Sequence, residues 1–305
     1  MNLAEEKRKG YVIGTETKKI WAVELEIARY ILDVCKRHNL KIWADWGTLL
    51  GAVREKGFIP WDNDIDFMMM RSDYEKLRQI APAEFTSPFF FQSAYTDKNY
   101  FHGHGQVRYD GTAAIFPYDI DQSFHQGIFV DIFVYDNLPD NKNRQWKRSL
   151  RRALWAQKCL QTAFYKKFRF KDPLTSVKFI LARIACFCLG PMTIYRFYER
   201  QITAFNLQES LCVACPSFDL RQIDRETRKR IWYEQTVMLP FEDMEMPVPA
   251  GYENVLRALY GDNYMTPVNT PPEHGNEIFF DTSRSYTEVL AELRKDSVRN
   301  KKHQL

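Results

Sequence analysis

The chain has 305 residues, 45% of them hydrophobic, and a net charge of +4. That is enough apolar material for a folded core, and the length fits one large domain or two modest ones. Six cysteines are scattered along the chain without a framework spacing, which excludes a disulfide-stapled scaffold and points to a reducing compartment.

The start, 1–9, is charged and has no apolar centre, so a secretory signal is not expected. Over 17–38, Trp21, Leu25, Ala28, Leu32 and Cys35 recur at helical spacing, and Lys36, Arg37 and His38 suit a helix C-terminus. A short strand over 40–44 and a short helix over 48–55 come next, bracketed by Gly47 and Gly57. The run 64–70 reads as a strand, with Asp64 and Asp66 on one face and Ile65, Phe67 and Met69 on the other. Ser72 and Glu75 have capping-box spacing and predict a helix that stops near Ile80, ahead of Pro82.

From 88 to 134 the character is β. Strands are expected over 89–94, 106–109, 112–116 and 127–135, and Asp110-Gly111 predicts a hairpin between the second and third. From 144 to 207 the pattern is helical and basic, divided by Pro173 and Gly190-Pro191 into about three helices. Lys and Arg thicken over 144–171 and 221–230; a solvated helical face is the plain reading, and an anionic nucleotide, lipid surface or glycan is the functional one. The most apolar stretch, 177–189, is broken by Lys178 and Arg183 and falls short of the ~20 residues of a membrane span. It is expected to be a buried helix, with a helix lying in a membrane interface as the alternative.

Cys212 and Cys215 have a metal-like spacing, but no second pair follows, so zinc is not expected. A short helix is predicted over 224–233. Beyond Pro240 the chain reads as irregular, punctuated by Pro247, Pro249, Pro267, Pro271 and Pro272, apart from a helix over 252–260 closed by Gly261. The tail 300–305 is expected to fray. The sum is a mixed α/β core with an added helical region.

The chemistry centres on Asp64-Ile65-Asp66. Two carboxylates at i and i+2 on one strand face lie roughly 7 Å apart at their Cα atoms, given ~3.3 Å of rise per residue. Their mutual repulsion calls for a cation or water between them. A hard divalent ion with oxygen ligands, Mg²⁺ or Mn²⁺, meets that need. The backbone N–H groups of Gly47-Thr48, at a helix start, are suited to a phosphate. A third carboxylate, Asp131, sits alone in the apolar run 127–134 and needs a partner there. Together these features point to phosphoryl transfer.

The run from Ala44-Asp45-Trp46-Gly47-Thr48 to Arg54, followed by Trp61-Asp62-Asn63-Asp64-Ile65-Asp66, resembles the signature of the LicD family, related to fukutin and fukutin-related protein. Val130-Asp131-Ile132-Phe133 with Asp136-Asn137 is similar to its second acidic motif. Pro247-Val248-Pro249, Tyr252, Leu256, Tyr260-Gly261-Asp262 and Pro267 resemble its closing motif. The resemblance covers roughly 20–274 and is weakest over 143–234. It implies an α+β fold: a nucleotidyltransferase-like mixed sheet with flanking helices and a helical insertion. The expected division is a catalytic core over 17–140, the insertion over 141–240 and a completing segment over 241–290.

By the same resemblance, Asp64 and Asp66 would bind Mg²⁺, Asp131 would be a third ligand or the base for the acceptor hydroxyl, and Gly47 and Thr48 would hold donor phosphate. The implied activity is transfer of phosphocholine, or a related phospho-alcohol, from a CDP-linked donor to a hydroxyl of a cell-surface glycan or lipopolysaccharide precursor. Asn63, where many members have Asp, falls on the face opposite Asp64 and Asp66.

Arg54 and Arg108 are candidates to neutralise donor phosphate. Trp61, with Trp43 and Trp46, offers either a face for a quaternary ammonium or ordinary core packing. His102 and His104 read as a plain loop, with phosphate or metal binding as the alternative. The expected site of action is the cytoplasm, at the inner face of the membrane, on an acceptor that is often lipid-linked; nucleic acid is not an expected partner. Two other functions fit the same residues: a nucleotidyltransferase that adenylylates a small molecule, and a non-catalytic glycan-binding scaffold.

Overall fold

The apolar stripe of the first long helix and the alternation around Asp66 organise the fold around them. The computed structural model describes residues 1–141, 143–165, 173–217, 220–224, 226–268 and 278–302. It contains two compact units, one made of Met1–Gln92, Gly105–Phe133 and Ile231–Leu305, the other of Ser93–His104 and Val134–Arg230.

The first unit opens with a small hairpin, β1 (Glu6–Arg8) and β2 (Tyr11–Ile13), which sequence patterning alone did not suggest. Helix α1 (Thr15–Arg37) buries Trp21, Leu25, Ala28 and Cys35 along the expected stripe. Strand β3 is only Trp43–Ala44, helix α2 is Trp46–Arg54, and β4 is Asp66–Met70, beginning at Asp66 rather than Asp64. Gly51 lets α2 close on the loop beneath it, because a Cβ there would sit 2.4 Å from the carbonyl oxygen of Gly57. Gly51→Ala should therefore cost about 2 kcal/mol, read from urea unfolding, since a backbone atom cannot step aside.

Helix α3 (Arg71–Glu84) corrects two expectations. It runs through Pro82 to Glu84, because a proline in the last turn forfeits one hydrogen bond while the turn still closes through Phe85 N to Ala81 O. The capping box is not made. The helix starts at Arg71 with no side-chain cap, and Glu75 pairs with Arg71 and Arg78 instead.

Strands β5 (Phe89–Gln92), β6 (Gly105–Tyr109), β7 (Ala113–Ile115) and β8 (Phe129–Leu138) come next. Gly111 makes its turn at φ +72°, yet β6 and β7 do not form the predicted hairpin. The edge of β6 is taken by β8, with Val107 opposite Val130, and Thr112 Oγ1 accepts from Ile128 N, which turns β7 away. Within this unit the order is β3-β4-β8-β6-β5, β8 contributing residues 129–133.

In the second unit, α4 (Arg144–Leu160) is capped by Asn143, whose side chain accepts from Trp146 N. A π-helical turn, Gln161–Tyr165, then α5 (Pro173–Leu189) and α6 (Pro191–Ile202) complete the helical block. Trp146, Ala153, Leu160, Tyr195, Tyr198 and Ile202 share its core. Helix α5 is not the buried helix expected from its composition: Phe179 and Cys186 are buried, while Ile180, Leu181, Ile184 and Phe187 face outward. One narrow edge suffices to pack it, so its remaining apolar residues have no core to enter. The C-terminal end of β8 pairs with β9 (Cys212–Ala214), and β9 with β10 (Arg228–Lys229). The helix predicted over 224–233 is replaced by β10 and a 3-10 turn, Arg230–Tyr233.

The chain then returns to the first unit. The region beyond Pro240 is not irregular: β11 (Thr236–Phe241) and β12 (Met244–Pro249) form a six-pair hairpin. A two-stranded ribbon has free edges, so its prolines forfeit no ladder partner there. Helix α7 (Tyr252–Tyr260) ends at Gly261 as expected. Pro271 and Pro272 lie outside the described residues. Strand β13 (Phe279–Asp281) pairs with β7, and α8 (Tyr286–Lys302) sets Val289 and Leu290 against Ala113 and Ile115.

Candidate active site

The expected acidic centre lies in the first unit, where α2 starts and β4 begins. Thr48 Oγ1 accepts from Asp66 N at 2.8 Å, and Asp45 N donates to Asp66 O at 3.0 Å. The first turn of α2 is thus fastened to the first residue of β4. Trp46 enters that turn at φ +47°, a left-handed conformation a tryptophan rarely adopts. A Cβ on Gly47 would lie 2.4 Å from Asp62 Oδ2, so the glycine admits this carboxylate to the N-terminal turn of α2. Trp21 Nε1 donates to Asp62 O at 2.9 Å and holds the loop from the other side. Asn63 N donates to Asp62 Oδ1 at 3.2 Å, so Asn63 belongs to this turn.

Asp131 arrives on the neighbouring strand. Its N–H donates to Ile65 O at 3.0 Å, which sets it beside the Asp64–Asp66 segment. Its Oδ1 accepts from Gln106 Nε2 at 2.7 Å. The three carboxylates singled out in the sequence are therefore brought to one place, on β8 and at the start of β4.

A fourth carboxylate joins them that sequence reasoning missed. Glu24, on α1, is 1% exposed, and its Oε2 has no hydrogen-bond partner. Burial pushes its carboxyl well above the usual range, and Asp64, Asp62 and Asp131 push it further. The available signal was its place between Trp21 and Leu25, on the buried stripe of an amphipathic helix. Asp66 is also raised well above its ordinary value, first by removal from water and then by Asp64, Asp131, Asp62 and Asp45.

A cluster of carboxylates that opposes ionisation of Glu24 and Asp66 offers the oxygen donors a hard divalent cation takes, and the unpartnered Glu24 oxygen fits the same need. Among the described residues no group of three or more His, Cys, Asp or Glu side chains is placed to hold a metal ion. The fit rests on donor chemistry and charge.

The remaining candidates have structural partners of their own. Arg54 donates to Glu55 at 2.7 Å and to Tyr264 O at 3.2 Å. Arg108 is 3% exposed and donates to Gln92 Oε1, Gly127 O and Gln106 Oε1 at 2.6–2.8 Å, over the Phe129 ring. It reaches the acidic centre through Gln106, the residue that holds Asp131. Trp61 is half-buried, edge-on to Tyr11. Trp43 is core, donating to Thr236 Oγ1 at 2.8 Å. His102 and His104 lie in the second unit, packed around Tyr100.

Arg108 has one further charged neighbour. Asp119 is 4% exposed, its Oδ1 has no hydrogen-bond partner, and burial raises its pKa to about 7 despite the pull of Arg108. Between the ordinary value of 3.8 and about 7 the folded chain holds a proton that the unfolded chain has lost. Stability from this group is thus present at low pH and lost as pH rises through that window, by up to about 4 kcal/mol. Asp119→Asn should flatten the corresponding slope of urea-unfolding stability between pH 4 and 7, a window set by the same two values.

An α+β sheet that collects carboxylates beside a helix N-terminus marks an enzyme with an acidic centre. Residues 39–187 match the family model described as LicD/FKTN/FKRP, nucleotidyltransferase domain. The chain is 26% identical over 258 residues to the lipopolysaccharide cholinephosphotransferase LicD of Haemophilus influenzae, covering 82% of this chain and 90% of that protein. It is 31% identical over 91 residues to the human ribitol 5-phosphate transferase FKRP, covering 25% of this chain and 18% of that one. A 50-residue stretch is 46% identical to an uncharacterized protein of Rickettsia prowazekii, 16% of this chain and 19% of that one. Residues 39–187 carry the LicD-family domain, and the chain is an enzyme of LicD type.

Proposed function

We propose that this enzyme moves phosphocholine, or a closely related phospho-alcohol, from a CDP-linked donor to a hydroxyl of a cell-surface glycan precursor. The observation that carries the reading is the convergence of Asp64, Asp66 and Asp131 on a helix start whose Gly47 and Thr48 face the same segment. Similarity over most of the chain to a lipopolysaccharide cholinephosphotransferase, and over a shorter stretch to a ribitol 5-phosphate transferase, supports the substrate class.

In this reading the acceptor hydroxyl gives its proton to a base, for which Asp131 is the candidate. Its oxygen attacks the phosphorus that bears the alcohol, the bond to the bridging oxygen breaks, and CMP leaves with that oxygen. Asp64 and Asp66 would hold Mg²⁺ or Mn²⁺, with Asp131 as a third ligand or as the base. When bound, the cation offsets charge on the diphosphate oxygens. Thr48 keeps Asp66 in register, and Gln106 keeps Asp131 oriented. Gly47 lets the Asp62 carboxylate lie against the N-terminal turn of α2, so donor phosphate would meet the other N–H groups of that turn. Trp61 is the aromatic candidate for a quaternary ammonium, and Arg54 the cation candidate for donor phosphate.

The test is CMP release from CDP-choline, CDP-ribitol and CDP-glycerol with a glycan acceptor and Mg²⁺, and mass analysis of the acceptor. Phospho-alcohol on the acceptor is the expected result. Nucleotide on the acceptor would replace this reading with nucleotidyl transfer. Unchanged activity in both Asp64→Ala and Asp131→Ala would overturn the site.

A further inference from the structure

The strongest unexplained feature lies in the second unit, far along the chain from the acidic residues. Helix α5 exposes Val177, Ile180, Leu181, Ile184, Phe187 and Cys188, with Phe187 90% exposed. At 100° per residue these six fall within one arc roughly 120° wide, and the exposed Leu189, at the helix end, falls beyond the Lys178 edge. On the same wheel Arg183 stands just outside one edge of that arc and Lys178 outside the other, and both are exposed. The Arg183 guanidinium lies 4.9 Å over the Phe179 ring, on the buried side of that edge. An apolar stripe of this width, rimmed by cations, is the pattern of a helix that lies in a membrane surface.

The neighbouring helix supplies the charge. Helix α4 carries Arg144, Lys147, Arg148, Arg151, Arg152 and Lys158, and neither α4 nor α5 contains an Asp or Glu. The first five of these cations are exposed, and Arg144, Lys147 and Arg151 line one shallow groove with Asn143 and Leu150. Trp155, on the same helix, is half exposed.

We propose that α5, supported by the cations of α4, docks this enzyme on an anionic lipid surface, with α5 in the plane of the headgroups. Three observations select this occupant. Among the described residues no single helix is long and apolar enough to cross a membrane. The next helix turns away by 97° after Gly190 and buries Ile194, Tyr195, Tyr198 and Ile202 in its own unit, so joining it to α5 as a span would dismantle that core. A second copy of the chain would bring two acid-free basic faces together, whereas an anionic bilayer complements both the stripe and its rim.

The experiment is sedimentation of the full chain with vesicles of phosphatidylcholine alone and with roughly 30 mol% phosphatidylglycerol, at low and high salt. Binding to the anionic vesicles, weakened by salt, is expected. Ile184→Asp/Phe187→Asp should lower the vesicle partition coefficient at least about tenfold, and so should Lys178→Glu/Arg183→Glu. All four positions are exposed, and unchanged circular dichroism and melting of the variants establishes that they fold. Wild-type failure to bind anionic vesicles would overturn the proposal, as would equal binding by both variants. A concentration-dependent dimer that Phe187→Asp dissolves, without lipid binding, would assign the face to a second copy instead. Neither readout uses catalysis, so this proposal stands or falls separately from the transferase reading.

Discussion

Asp66→Asn should abolish transfer while leaving the chain more stable. A metal-bound phosphoryl-transfer site supplies several kcal/mol of transition-state stabilisation, and each 1.36 kcal/mol is tenfold in rate. Loss of one of its carboxylates should therefore lower kcat/KM by about 10³ or more. The folded chain meanwhile resists ionisation of Asp66, because the group is removed from water and faces four other aspartates. A neutral isostere removes that repulsion, so without divalent cation the variant should be more stable than wild type at neutral pH. Glu24→Gln should behave alike in stability, since its buried Oε2 has no partner and the same aspartates oppose its charge. CMP-release kinetics and urea unfolding with and without Mg²⁺ read both effects. A stability loss in Asp66→Asn, with activity retained, would mark Asp66 as a structural carboxylate and remove the metal assignment.

Arg108→Ala should act through the scaffold and leave the affinity for donor unchanged. Its guanidinium satisfies three acceptors from Gln92, Gly127 and Gln106, and Gln106 in turn holds Asp131 at 2.7 Å. Truncation leaves those buried acceptors unmet, at about 3–5 kcal/mol for the set. Arg108→Lys should recover little, because one ammonium cannot reproduce a planar fork. The expected pattern is a large fall in unfolding free energy, a lowered kcat from a misoriented Asp131, and a KM for the CDP donor close to wild type. A raised KM with wild-type stability would instead return Arg108 to direct phosphate contact, the role its position in the sequence suggested.

These two residues also show where sequence reading succeeds. Asp66 and Asp131 were legible because a charge inside an apolar strand is anomalous in one dimension, and Asp64 because it stands two residues before Asp66, although the strand starts only at Asp66. The stripe of α1 and the short α2 before β4 were legible because periodicity is local. Glu24 was hidden by that same periodicity, since a carboxylate on a helical stripe acquires meaning only from what the helix packs against. Arg108 was legible as a cation near the site, but its partners on β5 and in the turn before β8 are set by strand pairing, which no local pattern encodes.

The misread elements share one cause. Asp110-Gly111 makes its turn, but whether a turn closes a hairpin depends on which strand takes the free edge, and β8 took it. Prolines between 240 and 249 suggested an irregular path, yet a ribbon with open edges accepts them. The composition of α5 suggested burial, but burial requires a core on every apolar side, and here only one edge has one.

Local pattern was thus enough for the mixed α/β core, the main helices and the acidic triplet, because propensity, periodicity and anomalous charge are properties of short segments, while the resemblance of the motifs carried the family and the α+β class. Three features came from long-range packing instead: Glu24 joins the triplet, Arg108 reaches Asp131 through Gln106, and α5 keeps its apolar face outward. Each of these depends on which distant surfaces meet, and that outcome is settled by packing and desolvation across the whole fold.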